Sequence, residues 1–190
     1  MMRCDDTAAF LTFRVANIVL ESVSTYVANM QNPANTDDAP PGEVAPALLP
    51  RLCLCMIVKN EIGVLPRSLP TIAPHIDYWV ISDTGSTDGT QAFLRDFFAE
   101  RGIAGELHED PWVSFGSNRE TCLRHARGKA RHALFLDADM EADVVDAAFV
   151  DALDVGGCYM VELRESCNTV TYALPLLVDA GLDWRYRGAT

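Results

Sequence analysis

The sequence predicts an α/β domain in which a largely parallel sheet is covered by helices on both faces. Short continuous apolar runs, which suit strands buried on both faces, alternate with segments whose apolar residues recur at helical spacing. Two Asp-rich polar clusters each follow directly on one of these apolar runs. Such alternation implies parallel strands joined by helical crossovers, and ligands bind sheets of this kind at the carboxyl ends of the strands.

The strands and helices are predicted from Arg51 onward. Buried strands are predicted, in chain order, at 52–58, 78–82, 106–109, 133–136 and 158–163. Helices are predicted at 62–72, 90–101, 117–127 and 143–153. The first helix contains Pro66 and Pro70 and is therefore expected to be short or broken, and Gly102 is expected to end the second.

The first fifty residues are predicted to lie outside this domain. Residues 1–30 are expected to be a helical extension, because their apolar stretch is interrupted by Arg14 and Glu21 and fits neither a membrane span nor a secretory signal. Residues 31–50 are rich in Pro, Asn and Asp and are predicted to be an extended linker. The main domain then occupies residues 51–190.

The composition restricts the classes of partner. A formal net charge of -12 argues against a nucleic-acid-binding protein and against binding to anionic membrane surfaces. An anionic ligand would therefore need a metal ion or a well-placed Arg. The six cysteines include no pair with the two-residue gap of a zinc or redox site, and most are expected to be small core residues of a cytoplasmic protein, with disulfide pairing as the alternative.

Asp137 and Asp139 are separated by one small residue and directly follow the strand predicted at 133–136. Two carboxylates in such a turn can bind one divalent cation, and oxygen ligands suit Mg²⁺ or Mn²⁺. A solvated acidic turn is the alternative. A calcium-binding EF-hand is excluded, because Ala142 and Ala148 stand where that loop requires Gly and Glu.

The polar cluster at 82–90 follows the strand predicted at 78–82. Asp83 at the strand end can accept hydrogen bonds from a base or a sugar, and Gly85 permits close approach of the backbone. The alternative is a turn and helix cap, with Thr87 or Asp88 as the capping residue. The Asp-Thr-Gly at 83–85 also mimics an aspartic protease, but the sequence contains no second copy to supply the partner carboxylate.

Two further positions could contact an anionic ligand. Arg119, near the start of a predicted helix, could pair with a diphosphate, although an ordinary surface ion pair is equally compatible with the sequence. The Lys-Asn-Glu at 59–61, after the first strand, has the same two interpretations. Trp79 and Trp112 are expected to pack in the interior.

Four blocks, in their order and spacing, resemble the family 2 glycosyltransferases, which have the GT-A fold. They are Leu-Cys-Met-Ile-Val-Lys-Asn-Glu at 54–61, Ile-Ser-Asp-Thr-Gly-Ser-Thr-Asp-Gly-Thr at 81–90, Ser-Asn-Arg at 117–119 and Phe-Leu-Asp-Ala-Asp at 135–139. The segment at 182–188 also resembles part of these enzymes. The resemblance implies a metal-assisted, inverting transfer of a sugar from a nucleotide-sugar, usually a UDP-sugar, to an acceptor whose identity is open.

The resemblance also implies roles for matching residues. The nucleotide base would contact Asp83, and Asn60 and Glu61 would line the same pocket. Arg119 would lie near the diphosphate. Asp137 would face the ribose and the metal, and Asp139 would ligate the metal. The bound Mn²⁺ or Mg²⁺ would act as a Lewis acid on the leaving nucleotide diphosphate. For the general base the chain offers only Glu162 and Glu165 as candidates.

The chain departs from the family's pattern at its end. Relatives continue past residue 190 into a His-Glu pair and acceptor-binding elements, so we expect this chain to represent the donor-binding half of a GT-A domain. A catalytically inactive nucleotide-sugar-binding module is therefore the alternative function. Sugar nucleotidyltransferases build related sheets, but the stretch 59–67 lacks their Gly-rich loop.

Overall fold

The computed structural model of the protein describes residues 11–14, 49–153, 157–165 and 170–186. Its strands are β1 Leu11–Arg14, β2 Leu52–Val58, β3 Tyr78–Asp83, β4 Ala104–Glu109, β5 His132–Phe135, β6 Met140–Asp143, β7 Cys158–Glu165 and β8 Thr171–Asp179. Its α-helices are α1 Leu65–Ile72, α2 Thr90–Glu100 and α3 Phe115–Ala126, and short 3-10 helices span Ala73–His75 and Ala147–Ala152.

The strands of the described residues form one eight-stranded sheet in the order β4-β3-β2-β5-β8-β7-β1-β6. Strands β4, β3, β2 and β5 run parallel to one another. The pairs β5–β8, β8–β7 and β7–β1 are antiparallel, and β1–β6 is parallel. The parallel half is the predicted α/β arrangement, and the fold class expected from the sequence is confirmed.

Helices cover both faces of the parallel half because its strands are apolar on both sides. Along β2, Leu52, Leu54 and Met56 pack on one face with residues of α1 and α2. Cys53 and Cys55 alternate with them and pack on the opposite face with residues of α3. Helices therefore pack on both faces of the strands whose carboxyl ends carry the polar clusters.

The structure differs from the prediction in three regions. The helix predicted at 143–153 is wrong: β6 ends at Asp143, and residues Ala147–Ala152 form a 3-10 helix that begins with the Ala148 N–H donating to the side chain of Asp146 at 2.9 Å. Strand β8 has no predicted counterpart. Within the extension predicted to be helical, residues 11–14 form β1 instead, and the rest of residues 1–48 lies outside the described residues.

The described cysteines, which are Cys53, Cys55, Cys122 and Cys158, are free thiols. Cys53, Cys55 and Cys122 are fully buried. Burial raises the pKa of the Cys55 thiol well above its usual value, so this thiol stays protonated and packs as a small apolar side chain. No helix among the described residues is long and apolar enough to cross a membrane.

Candidate functional site

The two polar clusters meet at the carboxyl edge of the parallel strands. Val58 at the end of β2 lies opposite Asp83 at the end of β3, and β5 pairs with the other side of β2 and leads directly to Asp137. A cleft of about 300 Å³ opens at this edge. It is lined by Ile57, Val58, Lys59, Glu61, Thr84, Trp112, Phe115 and Asp137. Ligands of α/β sheets bind at this edge.

Asp83 is a buried carboxylate, 1% exposed, and is the last residue of β3. One oxygen, Oδ1, accepts hydrogen bonds of 2.7 Å from the backbone N–H groups of Gly85 and Ser86. Gly85 has φ 111°, a conformation that glycine adopts without strain. The other oxygen, Oδ2, is buried and has no hydrogen-bond donor among the described residues. Such an acceptor calls for an explanation, because buried polar atoms are usually hydrogen-bonded.

These hydrogen bonds keep the Asp83 carboxyl group ionised. Burial by itself would raise the pKa of the carboxyl group, but the hydrogen bonds from Ser86 and Gly85 outweigh it and the pKa lies below its usual value. Asp83 is therefore ionised at neutral pH. Its Oδ2 therefore keeps unused capacity to accept a hydrogen bond.

Asn60 and Glu61 join the β2 end to the loop that contains Asp83. The Asn60 side-chain oxygen accepts a 2.7 Å hydrogen bond from the Thr87 backbone N–H, and the Asn60 backbone N–H donates to Ser86 Oγ at 2.8 Å. Asn60 has φ 58°, which Asn tolerates better than most residues. The Glu61 N–H donates to Thr90 Oγ1 at 2.8 Å, which leaves the carboxylate of Glu61 in the cleft lining.

Arg119 and Asp137 form an ion pair at the edge of the cleft. One guanidinium nitrogen, Nη2, lies 3.0 Å from Oδ1 and 3.2 Å from Oδ2 of the carboxylate. The Arg119 side chain is 19% exposed and that of Asp137 48%, so one side of the carboxylate stays open to solvent. Arg119 Cζ also lies 5.8 Å from the ring centre of Phe115. The guanidinium is thus already paired with the carboxylate expected to face the metal.

The carboxylates of this site repel one another. Burial, followed by the charges of Asp139, Asp88 and Asp137, raises the pKa of Glu61. Burial and the charge of Asp137 raise the pKa of Asp139, although Arg67 opposes the shift. These side chains therefore concentrate negative charge that a cation would relieve.

Glu61→Gln is expected to raise the melting temperature at pH 7 by about 1–3 °C, because it removes a charge that the fold disfavours. The pKa of Glu61 is higher in the folded protein than in the unfolded chain, where it is about 4.3. The contribution of protonated Glu61 to the free energy of unfolding is therefore fully present below this unfolded pKa and is lost as the pH rises through the folded pKa. The gain should accordingly shrink below about pH 4. Thermal unfolding measured at several pH values gives this gain in melting temperature, and Glu109→Gln, at an exposed position, is the control. A gain that persists at acid pH would show that removal of the Glu61 charge is not its cause.

The residues present fit a hard divalent cation. Asp137 and Asp139 supply oxygen donors, as Mg²⁺ and Mn²⁺ prefer. Burial, and then the charge of Asp137, raises the pKa of Asp139, and a bound cation would oppose both effects. Among the described residues, no group of three or more His, Cys, Asp or Glu side chains is arranged to hold a metal ion. A cation would therefore need further ligands, such as phosphate oxygens and water.

An aromatic loop between β4 and α3 was not predicted as part of the site. Trp112, expected to pack in the interior, is 46% exposed and lines the cleft with Phe115, which is 54% exposed. Trp79, by contrast, is buried and stacks on Phe98 at 4.5 Å, as expected. A Trp within a polar loop is the sequence signal that distinguishes Trp112 from Trp79, which lies in an apolar run.

The structure brings five of the six predicted site residues to the cleft or to the loops beside it. They are Asn60, Glu61, Asp83, Arg119 and Asp137, while Asp139 follows two residues later in the turn that leads to β6. The candidate base Glu162 lies on β7, separated from β5 by β8, and is 3.9 Å from Arg164. The side chain of Glu165 lies outside the described residues.

Comparison with known proteins identifies the family. A family model described as glycosyl transferase family 2 matches residues 53–158, more than half of the chain. A TPR repeat-containing protein of Synechococcus elongatus is 35% identical over 95 residues, which are 50% of this chain and 22% of that protein. The chain therefore spans about a fifth of the length of this curated relative.

Similar solved structures include S. aureus TarS in complex with UDP, at 19% identity and a TM-score of 0.40, covering 46% of this chain and 27% of that structure. A mannosyltransferase from Pyrobaculum calidifontis, in complex with GDP-Man and Mn²⁺, is 25% identical with a TM-score of 0.42, covering 56% of this chain and 31% of that one. From the family match over its central 106 residues (53 to 158 inclusive), the chain belongs to glycosyl transferase family 2.

Proposed function

We propose that this chain binds the donor of a glycosyl transfer, a nucleotide-sugar and most simply a UDP-sugar, together with Mn²⁺ or Mg²⁺. The sugar would pass, with inversion, to an acceptor that the described residues do not identify. Membership of the family supports the reaction class, and the cleft at the carboxyl edge of the sheet supports the place of binding.

The observation that carries the proposal is the buried, unpartnered Oδ2 of Asp83. Asp83 itself is buried at the end of β3, and the next residue in the chain, Thr84, lines the cleft. A uracil ring presents one N–H between two carbonyl groups, and an ionised carboxylate is the strongest acceptor for it. We assign Asp83 to the base, with Asn60 and Glu61 shaping the same pocket through their hydrogen bonds to the 86–90 loop.

Asp137 and Asp139 would hold the metal on the opposite side of the cleft from the base. When bound, the cation supplies Lewis-acid stabilisation of the charge that develops on the leaving nucleotide diphosphate. Arg119, which pairs with Asp137, and Lys59 in the cleft lining would supply positive charge to a bound diphosphate. These residues offset the net charge of -12, which otherwise repels an anionic donor.

Calorimetric titration of UDP, with and without Mn²⁺, tests the site. We expect the wild-type protein to bind UDP more tightly when Mn²⁺ is present, and Asp139→Ala to weaken that binding by about tenfold or more, because a metal ligand is removed. Asp96→Ala on the exposed side of α2 removes the same charge away from the cleft and should leave binding within about twofold of wild type.

Two outcomes decide between the proposal and its alternatives. A folded wild-type protein that does not bind UDP would overturn the donor site. Metal-dependent UDP binding followed by no release of UDP from any UDP-sugar, with water or a panel of glycan, lipid and protein acceptors, would favour a catalytically inactive nucleotide-sugar-binding module.

A further inference from the structure

We infer that Trp112 and Phe115 form a stacking platform for the nucleobase of the donor; the inference rests on the proposed function. The two rings meet edge to face, with centres 4.9 Å apart and planes at 85°. They therefore form a corner with two nearly perpendicular walls. A flat ring that stacks on one wall meets the other wall with its edge.

Exposure and position set this pair apart from the other aromatic residues. Both rings line the 300 Å³ cleft and both are about half exposed, although large aromatic side chains normally bury most of their surface. Val113, between them in the chain, is 70% exposed but does not line the cleft. The cleft lining thus places its aromatic surface where a ligand would cover it.

The loop that carries the platform is rigidly supported. The buried side chain of Asn118 accepts hydrogen bonds from the N–H groups of Val113 at 2.9 Å and Ser114 at 3.2 Å and donates to the Pro111 carbonyl at 3.1 Å. Ser114 also caps α3 by accepting from Ser117 at 3.2 Å. A preformed platform loses little conformational entropy when a ligand binds.

The chemistry of the cleft favours a nucleobase over a sugar as the ring that stacks. Thr84, the residue that follows Asp83 in the chain, lines the same cleft as the aromatic corner. A nucleobase is planar and carries N–H groups, so it can use both features at once, whereas a sugar ring is puckered. Stacking on an aromatic side chain tolerates any base, so Asp83 rather than Trp112 would select among bases.

Parallel titrations of UDP and of inorganic pyrophosphate, both with Mg²⁺, separate stacking from phosphate binding. Trp112→Ala is expected to weaken UDP binding about 5- to 150-fold, the range typical of a lost base–aromatic stack, and to leave pyrophosphate binding within about twofold. Trp112→Phe keeps a flat ring and should restore most of the UDP affinity. Val113→Ala is the matched control and should bind both ligands as the wild type does. Quenching of tryptophan fluorescence by UDP should be lost in Trp112→Phe.

Each result bears on a distinct claim. Wild-type UDP affinity in Trp112→Ala would overturn the platform and leave the donor site standing. An equal loss of UDP and pyrophosphate affinity would also overturn it, because the substitution would then act through the whole cleft. A wild-type protein that binds pyrophosphate but not UDP would overturn the platform and the proposed nucleotide specificity together.

Discussion

Arg119→Met is expected to weaken UDP binding in the presence of Mn²⁺ by about 10- to 150-fold, since charge-assisted hydrogen bonds contribute about 1.5–3 kcal/mol. The same substitution is expected to strengthen the binding of Mn²⁺ alone several-fold. In the ligand-free protein Arg119 contacts both oxygens of Asp137 and so competes with a cation for that carboxylate. A cation bound by Asp137 would free the guanidinium to pair with the diphosphate.

Calorimetry with Mn²⁺ alone and then with UDP measures the two opposite effects. Arg124→Met is the matched control, because Arg124 lies on the same helix, is exposed and donates to Thr121 at 2.9 Å. Arg119→Lys keeps the charge but loses the planar fork and should give intermediate values. Mn²⁺ affinity that is unchanged in Arg119→Met would show that the ion pair does not compete with the cation.

Asp83→Ala is expected to lower the free energy of unfolding by about 1–3 kcal/mol and to remove measurable UDP binding. The substitution leaves the N–H groups of Gly85 and Ser86 without their acceptor and opens a small cavity at a buried position. It also removes the carboxylate proposed to receive the base N–H. Chemical denaturation measures the first effect and calorimetry the second.

Asp83→Asn separates charge from shape. Because the folded pKa of Asp83 lies below its usual value, its stabilising contribution is present above the unfolded pKa of about 3.9 and is lost as pH falls through the folded pKa. The Asn variant should therefore be less stable than wild type at pH 7, and the difference should narrow in acid. Asp96→Asn, at an exposed position, is the control. An Asn variant as stable as wild type at pH 7 would contradict the role assigned to the ionised carboxylate.

The parallel half of the fold is predictable because its strands are apolar on both faces. In β2, residues on both faces are buried, so the continuous apolar run Leu52–Val58 predicts a buried strand even when the strands beside it are unknown. The antiparallel half is not predictable in this way. Strand β8 includes exposed Thr171 and Leu174 and also Pro175, and its pairing with β5 and β7 depends on segments far away in the chain.

The positions of the acidic residues could also be read from the chain, since each cluster directly follows a buried strand and the carboxyl ends of parallel strands share one edge. The sequence by itself thus determined the family and the edge at which Asp83 and Asp137 lie. Only the tertiary structure decided that Arg119 pairs with Asp137, that one oxygen of Asp83 has no donor among the described residues, and that Trp112 faces the cleft. These features depend on contacts between residues distant in sequence, which local patterns of hydrophobicity and propensity do not encode.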